Sequence, residues 1–402
     1  MTATSTTTAD FLYKTHYQDL VHEEERRHPT LNTTKKVSGL GNHNVYAVAY
    51  GDGQGAGGVF ATAQANVSAV KGVQFDMRPK IDYRVAQIDG ASLQLAMGDP
   101  NAFEELVVTE LRGSLNGFNN DLGMFLFGDG TGVRGSRLSA STNVITLTDP
   151  KTARNFHVGM TIKAGTSTTS LRAGSTTVDA VDYDAGTITL ASAAAITLFT
   201  DADLLFREGE TGNTMMEGLA SLYPLTAPVY LTDSFRGADR GKNPSLLAGS
   251  RIAADGSTPE ELALRLAASI SNAGGTADTW VLSDHNAQAV CNRGSAKITY
   301  PAGGGTMTFG FTGAILQSPA GALKLVADPD CPSNRGYVYK SGIHEIHHTG
   351  KALVHSAFDD SPKFSGRFWY PKDTSDAIEG RWRAICNTKS KSPRDAGVHE
   401  VA

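Results

Sequence analysis

The sequence predicts an α+β chain carrying an inserted small all-β domain, on three observations. Apolar residues recur every three or four positions between Asp99 and Phe127, which marks one long amphipathic helix. Alternation at period two runs through residues 71–88 and again through 376–387, as half-buried strands require. Between the helix and the later mixed segments, residues 136–208 break into short β-type pieces, with 14 threonines in 141–208. At 402 residues, 40% hydrophobic and 19% charged, the chain is long enough for more than one core.

Taken in order, residues 1–40 are polar, with a short amphipathic piece at Phe11, Leu12, Leu20 and Val21. They bury little alone and are expected to form an arm resting on something else. HNVYAVAY (43–50) and KGVQFDMRPKIDYRVAQI (71–88) read as a long hairpin joined through GDGQGAGG. Val73, Phe75 and Met77 alternate with Gln74, Asp76 and Arg78, and a two-stranded arm is marginal unless it lies on another surface. Asp99 suits an N-cap, Pro100 the first helical position and Gly128 the position beyond the end. In the helix, about 43 Å long, Phe103, Val107, Leu111, Leu115, Phe118, Leu122 and Phe125 make one stripe. Short strands between Gly and Asp turns in 136–208 suggest a small sandwich or barrel. Further on, Thr258, Pro259 and Glu261 form a capping box, TWVLS (279–283) reads as a buried strand, and ALKLVAD and GYVYK are extended. The final fifteen residues look like a mobile tail.

A net charge of −5 with no dense Lys/Arg run argues against tight nucleic-acid binding. Cys291, Cys331 and Cys386 are too scattered for a disulfide frame, and the N-terminus has no secretion-signal pattern. The longest apolar run, LASAAAITLF, is about half a membrane span. A cytoplasmic protein is expected.

Two motifs invite an enzyme reading. His344, Glu345 and His348 match H-E-x-x-H, the zinc-protease pattern, which needs a helix to bring both histidines to one metal. Seven residues between Gly342 and Gly350 are too few, and GYVYK upstream is strand-like. Extended, His344 and His348 would lie about 13 Å apart, too far to share zinc. Gly53, Gly55 and Gly58 match G-x-G-x-x-G, with Asp76 placed as a ribose contact. However, the residues after Gly58 make a poor helix, and the strand before it alternates; a glycine-rich hairpin loop fits better. GDGTG (128–132) reads as a helix cap and turn, and Asp328, Asp330, Asp359 and Asp360 sit in proline-flanked turns. No catalytic, metal or cofactor residue is assigned.

The order of parts resembles the major capsid proteins of tailed phages, of the Hong Kong 97-like fold. The resemblance is carried by FATAQANVSAVKGVQFDMRPKIDYRVAQIDGASLQLAMGDPNAFEELVVTE (60–110) and LFGDGTG (126–132). MEGLASLYP, LKLVADPDCPSNRGYVY and DAIEGRWRAICN follow in the same order. It implies an N-terminal arm (1–40), an E-loop with its base (41–97) and a P-domain spine helix (98–135). An inserted β-rich domain (136–208), an A-domain (209–365) and a P-domain return strand with C-terminal tail (366–402) complete it. Val73, Phe75, Met77, Arg78 and Lys80 would be assembly contacts of the E-loop region. The family's founding pattern has a scaffolding extension of about a hundred residues, for which 1–40 is too short. Some relatives cross-link through an E-loop lysine; Lys71 and Lys80 lie nearby, and a non-covalent shell is expected. The implied function is self-assembly through hexamers and pentamers into an icosahedral shell around double-stranded DNA, with scaffolding, portal and decoration proteins separate. Other readings are a phage decoration or tail component, a zinc metalloprotease or a nucleotide-binding enzyme.

Overall fold

A computed structural model describes residues 28–96, 100–210, 212–294, 315–318, 320–350, 352–356, 368–372 and 374–401, without the side chains of 93 and 95–104. The amphipathic piece of the arm, Asp99, Asp359, Asp360 and the side chain of Phe103 therefore lie outside the described residues.

The chain enters through a short helix α1 (Pro29–Thr33) and strand β1 (Lys35–Ser38). Strands β2 (Asn44–Gly51) and β3 (Lys71–Met77) form an antiparallel hairpin, with helix α2 (Phe60–Ala65) in the connection. The stretch expected as one strand over 71–88 is two, because Pro79 has no N–H to give a ladder. Its second half, β4 (Lys80–Asp89), leaves the hairpin for another sheet. A short helix α3 (Gly90–Ala96) precedes the long α4 (Pro100–Phe127). The stripe on α4 is buried at Val107, Leu111, Leu115, Phe118, Leu122 and Phe125.

Six strands then close a barrel in the order β10-β5-β6-β9-β8-β7. They are β5 (Val133–Ser141), β6 (Val144–Leu147), β7 (Thr161–Gly165), β8 (Thr176–Asp182), β9 (Thr187–Leu190) and β10 (Leu204–Arg207). Ile145, Leu147, Phe156, Ile162, Val178, Ile188, Leu190 and Leu205 fill it. The chain enters and leaves side by side: Gly218 N–H donates to the Gly128 carbonyl at 3.1 Å and Met215 N–H to that of Gly130 at 3.3 Å. Gly218 permits this approach, since a Cβ there would lie 2.2 Å from the Leu126 carbonyl oxygen.

After the barrel come α5 (Leu219–Leu222), the two-stranded β11 (Ser234–Phe235) and β12 (Ala238–Asp239), and α6 (Pro244–Ala248). A sheet follows, ordered β13-β22-β17-β14-β16-β15. It comprises β13 (Ser250–Ile252), β14 (Thr279–Leu282), β15 (Ile315–Ser318), β16 (Gly321–Ala327), β17 (Arg335–Tyr339) and β22 (Ala396–Glu400). Helices α7 (Pro259–Asn272) and α8 (Asp284–Gly294) cover one face through Leu266, Ile270, Ala287 and Val290 on Trp280 and Leu325. Phe127, Leu219, Leu222 and Tyr223 pack on the other, against Tyr337, Tyr339 and Val398. The capping box at α7 is present, with Glu261 N–H on Thr258 Oγ1 at 3.5 Å. That length puts its worth at the low end: Thr258→Ala is expected to lower stability by about 0.5–1 kcal/mol, checked by urea unfolding.

The remaining strands, β18 (His344–His348), β19 (His355–Ser356), β20 (Trp369–Pro371) and β21 (Ala377–Ser390), join β1 and β4 in a second sheet. Its helix-facing side, with Ala86, Ile88, Ile346, Ile378, Trp382 and Ala384, lies on the α4 stripe. The expected mobile tail is corrected here. The strand continues to Ser390, and β22 is held between β13 and β17 with Val398 fully buried. Two ladder partners satisfy its backbone, which a free tail would leave to water.

Candidate assembly surfaces

The β2–β3 hairpin has one face folded onto its own subunit. Val73, Phe75 and Met77 are 8%, 2% and 0% exposed, and Val73 and Phe75 pack with Val48, Ala238 and Leu247. Phe75 stacks on Tyr46 at 5.3 Å and meets the edge of Phe235 at 6.3 Å. Beside this core, Arg236 donates to Glu217 Oε2 at 2.7 Å, to Asn387 Oδ1 at 3.1 Å and to the Thr388 carbonyl at 2.8 Å. Burial raises the Glu217 carboxyl, but the charge and hydrogen bond of Arg236 outweigh it and hold the pKa below its ordinary value. Lys80 completes this root, 3.6 Å from Glu217, whereas Arg78 is exposed and pairs with Asp76 at 3.2 Å.

The apolar face of Val73, Phe75 and Met77 is thus spent inside the subunit. Exposed apolar groups lie elsewhere. The hairpin connection presents Val59, Phe60, Val67 and Val70, with Phe60 80% exposed. On β4, Ile81, Tyr83 and Val85 share the sheet face turned away from α4 and are 46–56% exposed. The sequence signal for both sets was available, as apolar residues in an uncharged glycine-rich loop and as the odd-numbered half of the β4 alternation.

The H-E-x-x-H residues form strand β18, not a helix. His344 Nε2 bonds the Tyr223 hydroxyl at 2.8 Å, and burial pushes its pKa down to about 3, so it is neutral. Ile346, on the same strand face, packs in the α4 core, whereas His344 sits against Tyr223 and Tyr339. Glu345, on the opposite side, receives Lys391 at 2.7 Å and His347 at 3.2 Å. These groups tie β18 to its neighbours. Gly53, Gly55 and Gly58 lie in the hairpin connection, and Asp76 is engaged by His43 at 3.1 Å as well as by Arg78. Asp328 accepts the Thr30 N–H at 2.8 Å, while Asp330 holds His28 at 2.5 Å and Arg154 at 2.9 Å, fastening the root of the arm. Among the described residues, no three His, Cys, Asp or Glu groups are placed to hold a metal ion.

No family model matches the chain, and no curated protein matches its sequence. Solved structures do match. The capsid asymmetric unit of cyanophage A-1(L) aligns over 93% of this chain and 92% of its own, at 11% identity and a TM-score of 0.55. The chain has the Hong Kong 97-like capsid fold. Lesser likenesses include the capsid of a native GTA particle, at 8% identity and TM-score 0.48 over 92% and 89%. Another is the SrpI encapsulin of Synechococcus elongatus, at 6% identity and 0.44 over 91% and 84%.

Proposed function

We propose that this chain is the building unit of a non-covalent, closed icosahedral shell, assembling through hexamers and pentamers around packaged double-stranded DNA. The observation that carries the reading is the fold likeness to a phage capsid subunit across nearly the whole chain. The surfaces support it. An E-loop tip with four exposed apolar side chains and an exposed apolar stripe on β4 are the features that burial against sister copies would satisfy. Contacts of this size are individually weak and become strong through many simultaneous attachments. The net charge of −5 suits a container that releases its contents. In this reading residues 1–40 are the arm and 41–97 the E-loop with its base. Residues 98–135 carry the spine helix and 136–208 the inserted barrel. The A-domain is 209–365 together with β22, and 366–390 return to the P-domain. Scaffolding, portal and decoration roles fall to other proteins, and assembly takes place in the host cytoplasm.

Negative-stain microscopy of the purified chain is the direct test. Closed particles, or hexamers and pentamers, are expected; single subunits at every concentration and salt would overturn the reading. Replacing residues 53–69 by a short glycine linker is expected to reduce assembled material by about tenfold or more while leaving thermal unfolding unchanged. Normal shells from that variant would remove the E-loop from the account.

A further inference from the structure

We propose that the turn between β16 and β17 couples the inserted barrel to the arm root, so that undocking the barrel releases residues 28–33. The inference goes beyond the shell reading and concerns the single subunit. The turn reads Asp328-Pro329-Asp330-Cys331-Pro332-Ser333-Asn334, and parts of the chain far apart in sequence meet on it.

The turn is itself anchored: Asp328 N–H donates to the Leu282 carbonyl at 2.8 Å, and Asn286 of α8 to the Ser333 carbonyl at 2.7 Å. On the arm side, Asp328 accepts the Thr30 N–H at 2.8 Å, and Asp330 Oδ2 holds His28 Nδ1 at 2.5 Å. On the barrel side, Arg154 Nη2 reaches Asp330 Oδ1 at 2.9 Å, and the Ser333 hydroxyl donates to Asp149 Oδ2. Asp149 caps, and Arg154 belongs to, a short 3-10 helix, Pro150–Asn155, that the barrel carries between β6 and β7. The Asp330 carboxylate is therefore shared, one oxygen for the barrel and the other for the arm root.

Burial makes that sharing consequential. The side chains of His28 and Asp330 are 2% and 3% exposed, that of Arg154 36%. The buried pair is pressed on α4 at Gly123, where a Cβ would come 2.3 Å from Asp330 Oδ2 and 2.7 Å from His28 Nδ1. Among the described residues His28 Nε2 has no hydrogen-bond partner, so the polar needs of the ring rest on Asp330. Arg154, by contrast, crosses open space. It lines, with Tyr183, two cavities of about 220 and 370 Å³, and Asp330 borders the smaller. Both are roomy enough for water. With Arg154 withdrawn, a buried carboxylate loses its guanidinium, and the adjoining cavity offers the hydration that its seat lacks. A carboxylate turned into that cavity leaves His28 buried with neither ring nitrogen bonded, a cost that favours local opening of the segment carrying it. Barrel position and arm-root closure are thus linked through one side chain.

Amide exchange of the full chain, read by mass spectrometry on peptides covering 28–34, tests the coupling. The reporting amides are Asn32 and Thr34, which bond the His28 and Thr30 carbonyls. In Arg154→Leu they are expected to exchange about tenfold or more faster, while the amides of β14 keep parent rates. For Arg154→Lys, which keeps the charge and loses the planar fork, about threefold is expected. This milder variant carries the test should Arg154→Leu fail to fold. In a His28→Leu background the same Arg154 substitutions are expected to change arm-root exchange by less than about twofold, since leucine does not depend on the carboxylate. Parent rates at 28–34 in both Arg154 variants, equal acceleration in β14, or an undiminished effect in the His28→Leu background would each overturn the proposal.

Discussion

Arg134→Ala is expected to destabilise the subunit by about 3–5 kcal/mol, measured by urea unfolding, through loss of the joint between the barrel and α4. Arg134 on β5 is 2% exposed. Its guanidinium donates to Glu210 through Nε at 2.8 Å and to Asp121 of α4 at 2.8 Å, with a further bond to the Asn155 carbonyl at 2.9 Å. Arg207 reaches Asp121 at 2.9 Å, and Arg84 of β4 stands 3.5 Å from the same carboxylate. Burial raises the Asp121 carboxyl, but Arg134, then Arg84 and Arg207, outweigh it and hold it below its ordinary value. Removing Arg134 strands Asp121 and Glu210, themselves 2% and 5% exposed, with only the two outer arginines for compensation. The sign depends on leaving those charges behind. The triple variant Arg134→Met, Asp121→Leu, Glu210→Leu is expected to recover most of the loss, since apolar groups carry no desolvation penalty. A single-variant loss below about 1 kcal/mol would mean that the cluster is wet and the barrel is held by other contacts.

That joint also shows where reading the sequence stops. The α4 stripe, the β3 alternation and the short barrel strands were legible because each follows from neighbours within a few residues. Arg134 has the local context of any surface arginine; its partners are 13 and 76 residues away. Strand β22 was missed for the same reason. Its five residues are short and nearly featureless, and it forms because β13 and β17 supply both ladders from distant parts of the chain. With the assembly residues the limit was different. Alternation at Val73, Phe75 and Met77 states that one face is covered, and the pattern is the same whether the cover is Leu247 of the same subunit or a neighbour. The extended conformation of the H-E-x-x-H stretch was legible because only local geometry was needed.

Asp82→Asn is expected to stabilise the subunit at alkaline pH and not at acid pH. Asp82 is on β4, on the side facing α4, beside a cavity of about 10 Å³ lined by Leu122, Phe125, Met215, Met216, Ala384 and Cys386. That space is at the lower limit for one water molecule. Burial, then the negative charges of Asp121 and Glu210, raise its carboxyl from 3.8 to about 7, with Arg207 and Arg134 opposing. A raised carboxyl reverses the usual acid dependence. Between about pH 4 and 7 the folded chain holds a proton that the unfolded chain has released, so this residue's penalty is absent below about pH 4, accumulates between 4 and 7 and is complete above 7. Its full value, discounted for the partial exposure of Asp82, is roughly 2 kcal/mol above pH 8. The asparagine variant never ionises. Its unfolding free energy is expected to exceed the parent's by about that amount at pH 8.5 and to match it at pH 4.5. A difference that stays constant with pH would instead reflect packing alone. Because Asp82 lies on the β4 face that packs against α4, its ionisation loosens that contact. Amide exchange along β4, corrected for its intrinsic pH dependence, is accordingly expected to be slower at pH 4.5 than at pH 8.5, and Asp82→Asn should abolish the difference.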